Sequence, residues 1–587
     1  MSAVTAEVHQ LRAAPIVDGV LPVDEALRVD NADSAQWERH CDVLVVGFGA
    51  AGAATAITAK QDGAEVLIVD RFEGGGATTR SGGVVYAGGG TSHQRNAGYD
   101  DTPDAMFRYL RQETGDAVGD DTLRRFCEDS RGLIEWLESI GCDFRSSAPP
   151  PKTSYPKDGI YLYYSGNESV PAYAEHAPPA PRGHRTRGSW MSGKVLFELL
   201  KARTAALQIP FLPQAAVRRL IVDAQGAVVG AEVFQLEPCS AAARQHLKLM
   251  RRAESLHNVA QNWADRLRAR ALALELTQAR PLRVRARRGV VLTAGGFIFN
   301  REMVARLAPK YTMTMRLGAT GCDGSGIRLG QSVGGVAARM STVSAWRFIN
   351  PPTAWPKGIV VDQQGRRFCN EQVYGARLGV EMCEDHGGRG WLILDRALRR
   401  TAMREALFGG LWFFQSVPAF LLMLFAPRAK TIEALAAKIG MPAAALRASV
   451  DTYNAAIEQN HADPLGKSET MRAPLKQAPY YALDISASST TFPCPAITLG
   501  GLRVDESSGA VIDERGEAIP GLYAAGRTAV GVASNRYVSG LSIADCLWSG
   551  RRAGRHAAGR SQDDVGLKPD LQMQPPPHVR YSALIFT

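Results

Sequence analysis

The chain has 587 residues, of which 45% are hydrophobic and 21% are charged, so it is long enough for two or more domains and too apolar to be disordered. Its formal net charge is +10, but the arginines lie in local clusters without interleaved aromatic residues, so nucleic acid is not predicted as a partner. The nine cysteines show no paired spacing typical of zinc or of a disulfide framework, so no metal site is predicted and a reducing cytoplasm is the expected compartment.

The first 38 residues are polar and irregular and predict an N-terminal arm. They contain no basic segment followed by an apolar run and no small-residue cleavage site, so no export signal is predicted. At the other end, residues 561–587 predict a surface tail that includes three consecutive prolines.

A strand, a glycine-rich turn and a helix follow the arm. The apolar run Cys41–Val46 predicts the strand, residues 47–52 (GFGAAG) predict the turn, and the small residues Ala53–Gln61 predict the helix. A second apolar run, Glu65–Val69, ends at Asp70. This order is typical of the first unit of a doubly wound dinucleotide-binding sheet.

Each glycine of this turn has its own purpose. Gly47 allows the tight turn, Gly49 lets the backbone approach a pyrophosphate, and Gly52 lets the helix pack closely on the strand. The phosphates would lie at the positive end of the helix, with Ala51 among their contacts. The carboxylate of Asp70 would accept hydrogen bonds from ribose hydroxyls, and a dinucleotide is therefore predicted.

A second glycine-rich stretch, residues 74–83 (GGGATTRSGG), favours FAD over NAD, because it can lay backbone amides and small hydroxyls along a longer dinucleotide. Further strands are predicted at Ala216–Val222, Val228–Phe234, Leu282–Val284 and Val290–Thr293, and another begins at Ile519. The last two end in glycine turns that would border the same cofactor. Beyond the first turn, the candidate cofactor-binding residues are Asp70, Arg71, Thr78, Thr79, Ser81, Gly82, Gly83, Ala216, Val217, Ala294, Gly295, Gly296, Gly526, Arg527, Leu541 and Ser542.

Two insertions interrupt this pattern. Residues 240–278 contain no glycine or proline and predict one or two long helices at a strand connection. Residues 408–426 (FGGLWFFQSVPAFLLMLFA) carry no charge and are flanked by Arg404, Arg428 and Lys430. Three interpretations of the second insertion stay open: a buried core helix, a membrane span, and an apolar segment that dips into one leaflet beside an active-site entrance.

The chain resembles the flavoprotein family of fumarate reductases, succinate dehydrogenases and 3-ketosteroid dehydrogenases. The motifs that carry the resemblance are Gly295-Gly296, residues 321–324 (GCDG), residues 367–371 (RFCNE) and residues 498–501 (TLGG). The resemblance implies an α/β fold, in which a doubly wound, Rossmann-type FAD-binding domain carries an inserted α+β catalytic domain. The implied parts are residues 39–300 and 482–560 for the FAD-binding domain and residues 301–481 for the insert.

Within this family, the chain departs from the dicarboxylate enzymes. Ala496 stands where they carry a histidine, and no histidine for covalent flavin attachment precedes Gly82-Gly83, so the resemblance implies noncovalent FAD. Residues 537–540 (YVSG) are similar instead to ketosteroid dehydrogenases that introduce a 4,5 double bond into 5α-steroids. Those that introduce a 1,2 double bond carry Tyr-Pro-Gly there.

The resemblance also implies a mechanism. Tyr537 would remove a C4 proton made acidic by the 3-keto group, and the C5 hydrogen would leave as hydride to the flavin. Ser539 and Tyr374 would relay the proton or lower the pKa of the phenol, and Gly540 would contact the ketone oxygen. Tyr86 is a further candidate substrate contact. The sequence leaves open whether Tyr155, Tyr161, Tyr163 and Tyr164 form a pocket wall or a surface hairpin.

Three alternatives remain open at this point: a 3-ketosteroid 1-dehydrogenase, a flavin-dependent enone reductase, and a membrane-bound flavin electron-relay subunit. The expected partners are a steroid substrate, an unidentified electron acceptor and a membrane surface. The expected location is the cytoplasm, at the inner face of the cell membrane.

Overall fold

The computed structural model describes residues 19–33, 35–147 and 154–559. The predicted tail at 561–587 lies outside these residues, as do residues 1–18 and 34 of the predicted arm. The helices of the described residues, in chain order α1 to α16, are Ala50–Gln61, Ser92–Asn96, Pro103–Thr114, Asp120–Ser139, Pro171–Ala174, Gly193–Ala206, Ala241–Leu256, Gln261–Gln278, Arg301–Leu307, Ser325–Gln331, Gly375–Asp385, Arg396–Phe408, Phe413–Leu424, Ile432–Lys438, Ala443–Glu458 and Leu541–Ala557.

A large mixed sheet forms the centre of the first domain. Its strands, in spatial order, are Leu27–Arg28, Ala215–Val222, Val228–Gln235, Arg280–Leu292, Arg39–Val46, Val66–Val69 and Phe211–Leu212, with Ala518–Ala524 paired to Arg280–Leu292 and Ala510–Ile512 paired to Ala518–Ala524. The strands around the glycine-rich turn run parallel and are buried on both faces, as the apolar runs predict. The predicted doubly wound unit is therefore present.

One predicted feature of this sheet is wrong in detail. Leu282–Val284 and Val290–Thr293 are not two strands but parts of one 13-residue strand, Arg280–Leu292. Its first part pairs antiparallel with Val228–Gln235 and its last part pairs parallel with Ala518–Ala524. A register shift between Ala286 and Gly289 lets one strand change partners without a turn.

The two ends of the FAD-binding domain meet at a close helix pair. Helix α1 begins at Ala50, three residues before the predicted start, because the turn itself supplies its first residues. Helix α16 packs against it through two glycines: a Cβ at Gly550 would lie 2.5 Å from the carbonyl oxygen of Ala51, and a Cβ at Gly554 would lie 2.4 Å from that of Thr55. The N-terminal and C-terminal parts thus form one unit.

The insert has its own antiparallel sheet, made of Ile359–Val361, Trp391–Leu394, Tyr480–Asp484 and Arg428–Ala429 in spatial order. The boundary predicted at residue 481 falls inside the strand Tyr480–Asp484, since this strand completes the sheet of the insert. A second sheet, of Met315–Arg316, Pro495–Thr498 and Val343–Ala345, joins the insert to the FAD-binding domain. A third sheet consists of Val84–Tyr86, Gly183–Arg185 and Leu162–Tyr163.

The two insertions form helix pairs. Residues 240–278 contain α7 and α8, as predicted. Residues 408–426 contain the end of α12 and all of α13, which is only 12 residues long. Within the part of the chain that the structure describes, no helix is both long and apolar enough to cross a bilayer. The membrane-span interpretation is therefore wrong.

Helix α13 has two different faces. Ala419, Leu422 and Met423 are buried against the insert, so the core-helix interpretation holds for this face. The other face is apolar and open to solvent. Together with the end of α12 it forms what we call the apolar ridge, whose exposed side chains are Leu407, Phe408, Phe413, Val417, Leu421, Leu424 and Phe425.

Candidate active site

A cavity of about 910 Å³ lies at the carboxyl ends of the parallel strands, where the N-terminus of α1 also points. We call it the cofactor cavity. The predicted cofactor-binding residues on its wall are Gly47, Gly49, Ala51, Asp70, Arg71, Thr78, Thr79, Ala216, Val217, Ala294, Gly295 and Arg527. Residues from both halves of the FAD-binding domain therefore meet at one wall.

The glycine-rich turn leaves no room for side chains on its inner side. Gly47 has a φ of +105°, and a Cβ there would lie 2.8 Å from the carbonyl oxygen of Thr293. A Cβ at Gly52 would lie 1.9 Å from the carbonyl oxygen of Gly47. At Gly49 a Cβ would meet only ordinary contacts, the hydroxyl of Thr78 at 3.5 Å and the carbonyl oxygen of Gly75 at 3.9 Å, so the backbone stays open to the cavity. This arrangement fits the close approach of a pyrophosphate, as predicted.

The carboxylate of Asp70 is hydrogen-bonded to the backbone of the glycine-rich turn. One carboxylate oxygen accepts a hydrogen bond from the backbone N–H of Phe48 at 2.7 Å, and the other accepts one from the N–H of Phe72 at 2.7 Å. The carboxylate thus has two backbone partners on the cavity wall. The predicted contact with ribose hydroxyls stays a prediction.

The side chain of Arg71, a predicted cofactor-binding residue, is hydrogen-bonded to other parts of the protein. Its guanidinium donates to Glu275 of α8 at 2.8 Å, to Asp323 at 2.9 Å and to the carbonyl oxygen of Gly19 at 2.8 Å. His246 of α7 lies 2.9 Å from the same Glu275. The guanidinium therefore fastens the helical insertion to the rim of the cofactor cavity.

Besides Gly52, four predicted cofactor residues are absent from the walls of the described cavities and lie where they allow close packing. A Cβ at Gly83 would lie 2.6 Å from the backbone of Ser192, one at Gly296 would lie 2.5 Å from the hydroxyl of Thr498, and one at Gly526 would lie 2.9 Å from the thiol of Cys546. The fourth, Leu541, is the first residue of α16 and is fully buried.

A smaller cavity of about 120 Å³ adjoins the cofactor cavity, and we call it the inner pocket. The two share Ala77, Thr78, Arg80, Arg527 and Cys546 on their walls. Predicted residues on the wall of the inner pocket are Ser81, Gly82, Tyr537, Ser539, Gly540 and Ser542. The predicted catalytic segment therefore faces a space that borders the predicted cofactor site.

Aromatic rings surround the phenol of Tyr537. The ring of Trp346 lies 4.8 Å from that of Tyr537, and the ring of Phe348 lies 5.2 Å from that of Tyr374 and 5.6 Å from that of Tyr155. Both predicted tyrosines thus belong to one apolar cluster, although they are far apart in the sequence. Tyr155 also lines the inner pocket, so this member of the unresolved tyrosine group is a pocket wall.

Hydroxyl groups meet at Ser539. A hydrogen bond from Ser539 lowers the pKa of Tyr163 and of Tyr374, while burial acts more strongly in the other direction. The net result is a pKa of about 12 for Tyr163 and a pKa well above the ordinary value for Tyr374. Ser539 thus lies within hydrogen-bond reach of Tyr374, and the predicted proton relay through these two residues stays a prediction.

Burial also raises the pKa of Tyr537 above its ordinary value. The positive charge of Arg527 and a hydrogen bond from the backbone N–H of Gly540 act in the lowering direction. The expectation that neighbours lower the pKa below its usual value is therefore not met in the protein alone. Tyr537 is a neutral phenol there, held beside one cation and one backbone donor.

Gly540 shapes this corner of the pocket. It precedes α16 with a φ of +89°, and a Cβ there would lie 2.8 Å from the backbone nitrogen of Tyr86 and 2.9 Å from a methyl carbon of Val84. Tyr86 itself is fully buried, and its hydroxyl donates to Glu168 at 3.2 Å. It is absent from the described residues that line the inner pocket, so its predicted substrate contact has no support in this geometry.

Two residues of the site escaped sequence reasoning, Trp346 and Phe348, and the sequence leaves the role of a third, Tyr163, open. Trp346 and Phe348 follow the short strand Val343–Ala345, whose partner is Pro495–Thr498 near the catalytic segment. An aromatic pair two residues apart is the only signal that the sequence offers for them.

Residues 42–543 match the family model described as FAD binding domain. A 3-oxo-5-alpha-steroid 4-dehydrogenase of Comamonas testosteroni is 46% identical over 523 residues, which cover 87% of this chain and 97% of that protein. A 3-oxosteroid 1-dehydrogenase of Mycobacterium tuberculosis is 26% identical over 591 residues, covering 89% of this chain and 98% of that protein.

Among solved structures, the 3-ketosteroid-Δ4-(5α)-dehydrogenase of Rhodococcus jostii RHA1, in complex with 4-androstene-3,17-dione, superposes with a TM-score of 0.76. It is 29% identical and the match covers 92% of this chain and all of that chain. The chain therefore belongs to the FAD-binding domain family of flavoproteins. Within this family it is an FAD-dependent oxidoreductase of the 3-ketosteroid dehydrogenase branch, which confirms the predicted cofactor and fold class.

Proposed function

We propose that the protein oxidises a 3-oxo-5α-steroid by introducing a double bond between C4 and C5. The observation that carries this proposal is the position of Tyr537 on the wall of the inner pocket, which adjoins the cofactor cavity, with Tyr374 in the aromatic cluster that packs around it. The 46% identity to a protein with this named activity supports the same assignment.

FAD, bound noncovalently, would accept the hydride that leaves C5. The glycine-rich turn would hold its pyrophosphate, and the cavity wall carries Thr78, Thr79 and Arg80 where a covalent link would need a histidine. The apolar rings of Trp346, Phe348 and Tyr155 would exclude water from the steroid. They would also hold its flat skeleton against the shared wall.

The phenol oxygen of Tyr537 would take the proton from C4, because a weakly acidic proton next to a ketone needs a base positioned beside it. The hydroxyls of Ser539, Tyr374 and Tyr163 lie together and would pass the proton onward. The backbone N–H of Gly540 would stabilise negative charge on an oxygen, since it donates towards the phenol oxygen already. One proton and one hydride leave the steroid, and the double bond forms between the two carbons.

Val538 separates this proposal from 1,2-dehydrogenation, since the resemblance associates proline with that reaction. Val538 is fully buried, and a Cβ on Gly166 would lie 2.7 Å from one of its methyl carbons. Its side chain is thus packed tightly against the loop that carries Ser165, whose hydroxyl donates to the carbonyl oxygen of Ser539 at 3.0 Å.

Anaerobic mixing with a panel of ketosteroids tests the reaction. We expect a 5α-3-ketosteroid to bleach the flavin and to yield the 4-ene-3-ketone. Bleaching only by a 4-ene-3-ketone, with a 1,4-diene as product, would establish 1-dehydrogenation instead. Flavin that no ketosteroid bleaches, but that an enone reoxidises, would establish an enone reductase.

We also propose that the protein contacts a membrane through the apolar ridge and takes its apolar substrate from there. The ridge lies against the loop that carries Tyr155: Gln415 donates to the carbonyl oxygen of Ser154 at 2.8 Å, and the ring of Phe414 lies 5.7 Å from that of Tyr155. Trp190 extends the exposed surface, with its ring 5.3 Å from that of Phe413. A steroid that leaves a lipid surface at the ridge would therefore reach the inner pocket along aromatic side chains.

The cations Arg404, Arg428 and Lys430 are exposed at the ends of the ridge and favour an anionic lipid surface. The electron acceptor that reoxidises the flavin would complete the turnover.

A further inference from the structure

Arg527 lies at the junction of the two cavities. It is one of the residues that line both the cofactor cavity and the inner pocket. Its backbone belongs to a short turn of helix, Gly526–Thr528, directly after the strand Ala518–Ala524. The backbone that carries the guanidinium is thus part of a regular element.

The guanidinium has few partners for a cation in such surroundings. One nitrogen donates to the thiol sulfur of Cys322 at 3.2 Å, and the other terminal nitrogen is buried with no hydrogen-bond partner in the described residues. No carboxylate of the described residues forms an ion pair with it. A buried cation is costly unless negative charge compensates it, so a negative charge that forms on the shared wall would be stabilised here.

Tyr537 is the group on the shared wall where such a charge would arise. The titratable and charged groups that face its phenol are Arg527, Cys546, Tyr163, Tyr155 and Tyr374. The four others are neutral tyrosines or a thiol, so Arg527 is the cation of this set. Other arginines of the pocket wall are engaged elsewhere, as Arg80 is with Glu254 at 2.9 Å.

We propose that Arg527 is the positioning residue for the base: its positive charge stabilises the phenolate of Tyr537 and so makes this tyrosine able to take a proton from the substrate. The inference rests on the proposed function, in which Tyr537 is the base. It goes further by naming the group that stabilises the deprotonated form of Tyr537. The tyrosine cluster supplies hydroxyls, and the arginine supplies the charge.

The test is the ionisation of Tyr537 in the FAD-loaded protein. We would record the ultraviolet difference spectrum of tyrosinate against pH, and assign Tyr537 by subtracting the titration of Tyr537→Phe. Removing a cation from the side of a buried acid raises its pKa, so Arg527→Gln should move the midpoint upward by about one pH unit or more. Arg527→Lys keeps the charge and should restore most of this shift.

The matched control is Arg80→Gln, which removes a cation from the same shared wall but one that is already paired with Glu254. It should move the midpoint far less than Arg527→Gln. The pH dependence of flavin reduction by a 5α-3-ketosteroid should shift in parallel with the spectroscopic midpoint. The FAD content of each variant is measured alongside, so that loss of cofactor is not taken for loss of charge.

Two results would overturn the proposal. One is an unchanged midpoint in Arg527→Gln, and the other is an equal shift in Arg527→Lys and Arg527→Gln, which would mean that shape and not charge is responsible. The spectroscopic titration needs no substrate. A protein that fails to oxidise any ketosteroid would therefore refute the proposed function while the titration still decides the role of Arg527.

Discussion

The apolar ridge predicts that three exposed phenylalanines control membrane binding. Phe408, Phe413 and Phe425 are 84%, 62% and 76% exposed, which together equals slightly more than two fully exposed phenylalanine side chains. Burial of one such side chain is worth about 2 kcal/mol, so complete insertion of all three contributes about 4 kcal/mol. Replacing the three with serine should therefore weaken binding to vesicles by a factor of about 10³.

Cosedimentation with vesicles that contain phosphatidylglycerol measures this partition. The matched control replaces Val259 and Trp263 with serine, since they are 87% and 64% exposed on the helical insertion, away from the ridge. The control should bind as the unchanged protein does. Because the flanking groups Arg404, Arg428 and Lys430 are cationic, salt should weaken the binding of both.

Two outcomes would refute the reasoning. One is no binding of the unchanged protein to vesicles at low salt. The other is equal loss in the ridge variant and in the control, which would show that general surface hydrophobicity is measured. All three ridge positions are solvent-exposed, so the bound FAD and the melting temperature of the ridge variant should stay close to those of the unchanged protein.

Three further predictions concern the interior. Tyr537→Phe should lower the rate of flavin reduction in stopped-flow mixing by a factor of 10² to 10⁴ without loss of FAD, whereas an electron-relay subunit would keep reduction by its partner. Gly540→Ala should lower the free energy of unfolding by about 3 kcal/mol, because its Cβ would meet the backbone of Tyr86. The control Gly516→Ala, at a φ of +83° with nothing within 4 Å of a Cβ, should lower it by about 1 kcal/mol. Burial raises the pKa of Asp545 from 3.8 to about 6, so the folded state binds an additional proton in that range; the stability from this group is present below pH 4 and is lost as the pH rises through 6. Between pH 4 and pH 6 the free energy of unfolding measured in urea should therefore fall by about 3 kcal/mol because of this group. In Asp545→Asn this fall should be absent.

The glycine-rich turn and the strands around it could be predicted because their physical signals are local. A strand buried on both faces reads as a continuous apolar run, and a turn that a Cβ would fill must carry glycine. The two hydroxyls at positions 537 and 539 were found by resemblance, and the structure brings them to the wall of one pocket.

The contacts that could not be predicted join distant parts of the chain. Trp346 reaches Tyr537 only because Val343–Ala345 pairs with Pro495–Thr498, and no local pattern specifies that pairing. Arg71 follows the acidic residue of the turn, yet its guanidinium is used by Glu275 and Asp323, more than 200 residues away. Of the apolar run 408–426, α13 covers only Phe413–Leu424 and α12 ends at Phe408, so the length of the run does not give the length of a helix.

The close contact of α1 with α16 has a consequence for synthesis of the protein on the ribosome. A growing chain that has emerged as far as residue 540 contains the complete glycine-rich turn, both parts of the sheet and the whole insert. It still lacks α16, the helix that packs on α1. Tyr537 precedes this helix by four residues, so its position is not fixed before the helix forms. The cofactor cavity therefore closes last, and a truncation within residues 541–557 would abolish the site without touching the motif that first reveals it.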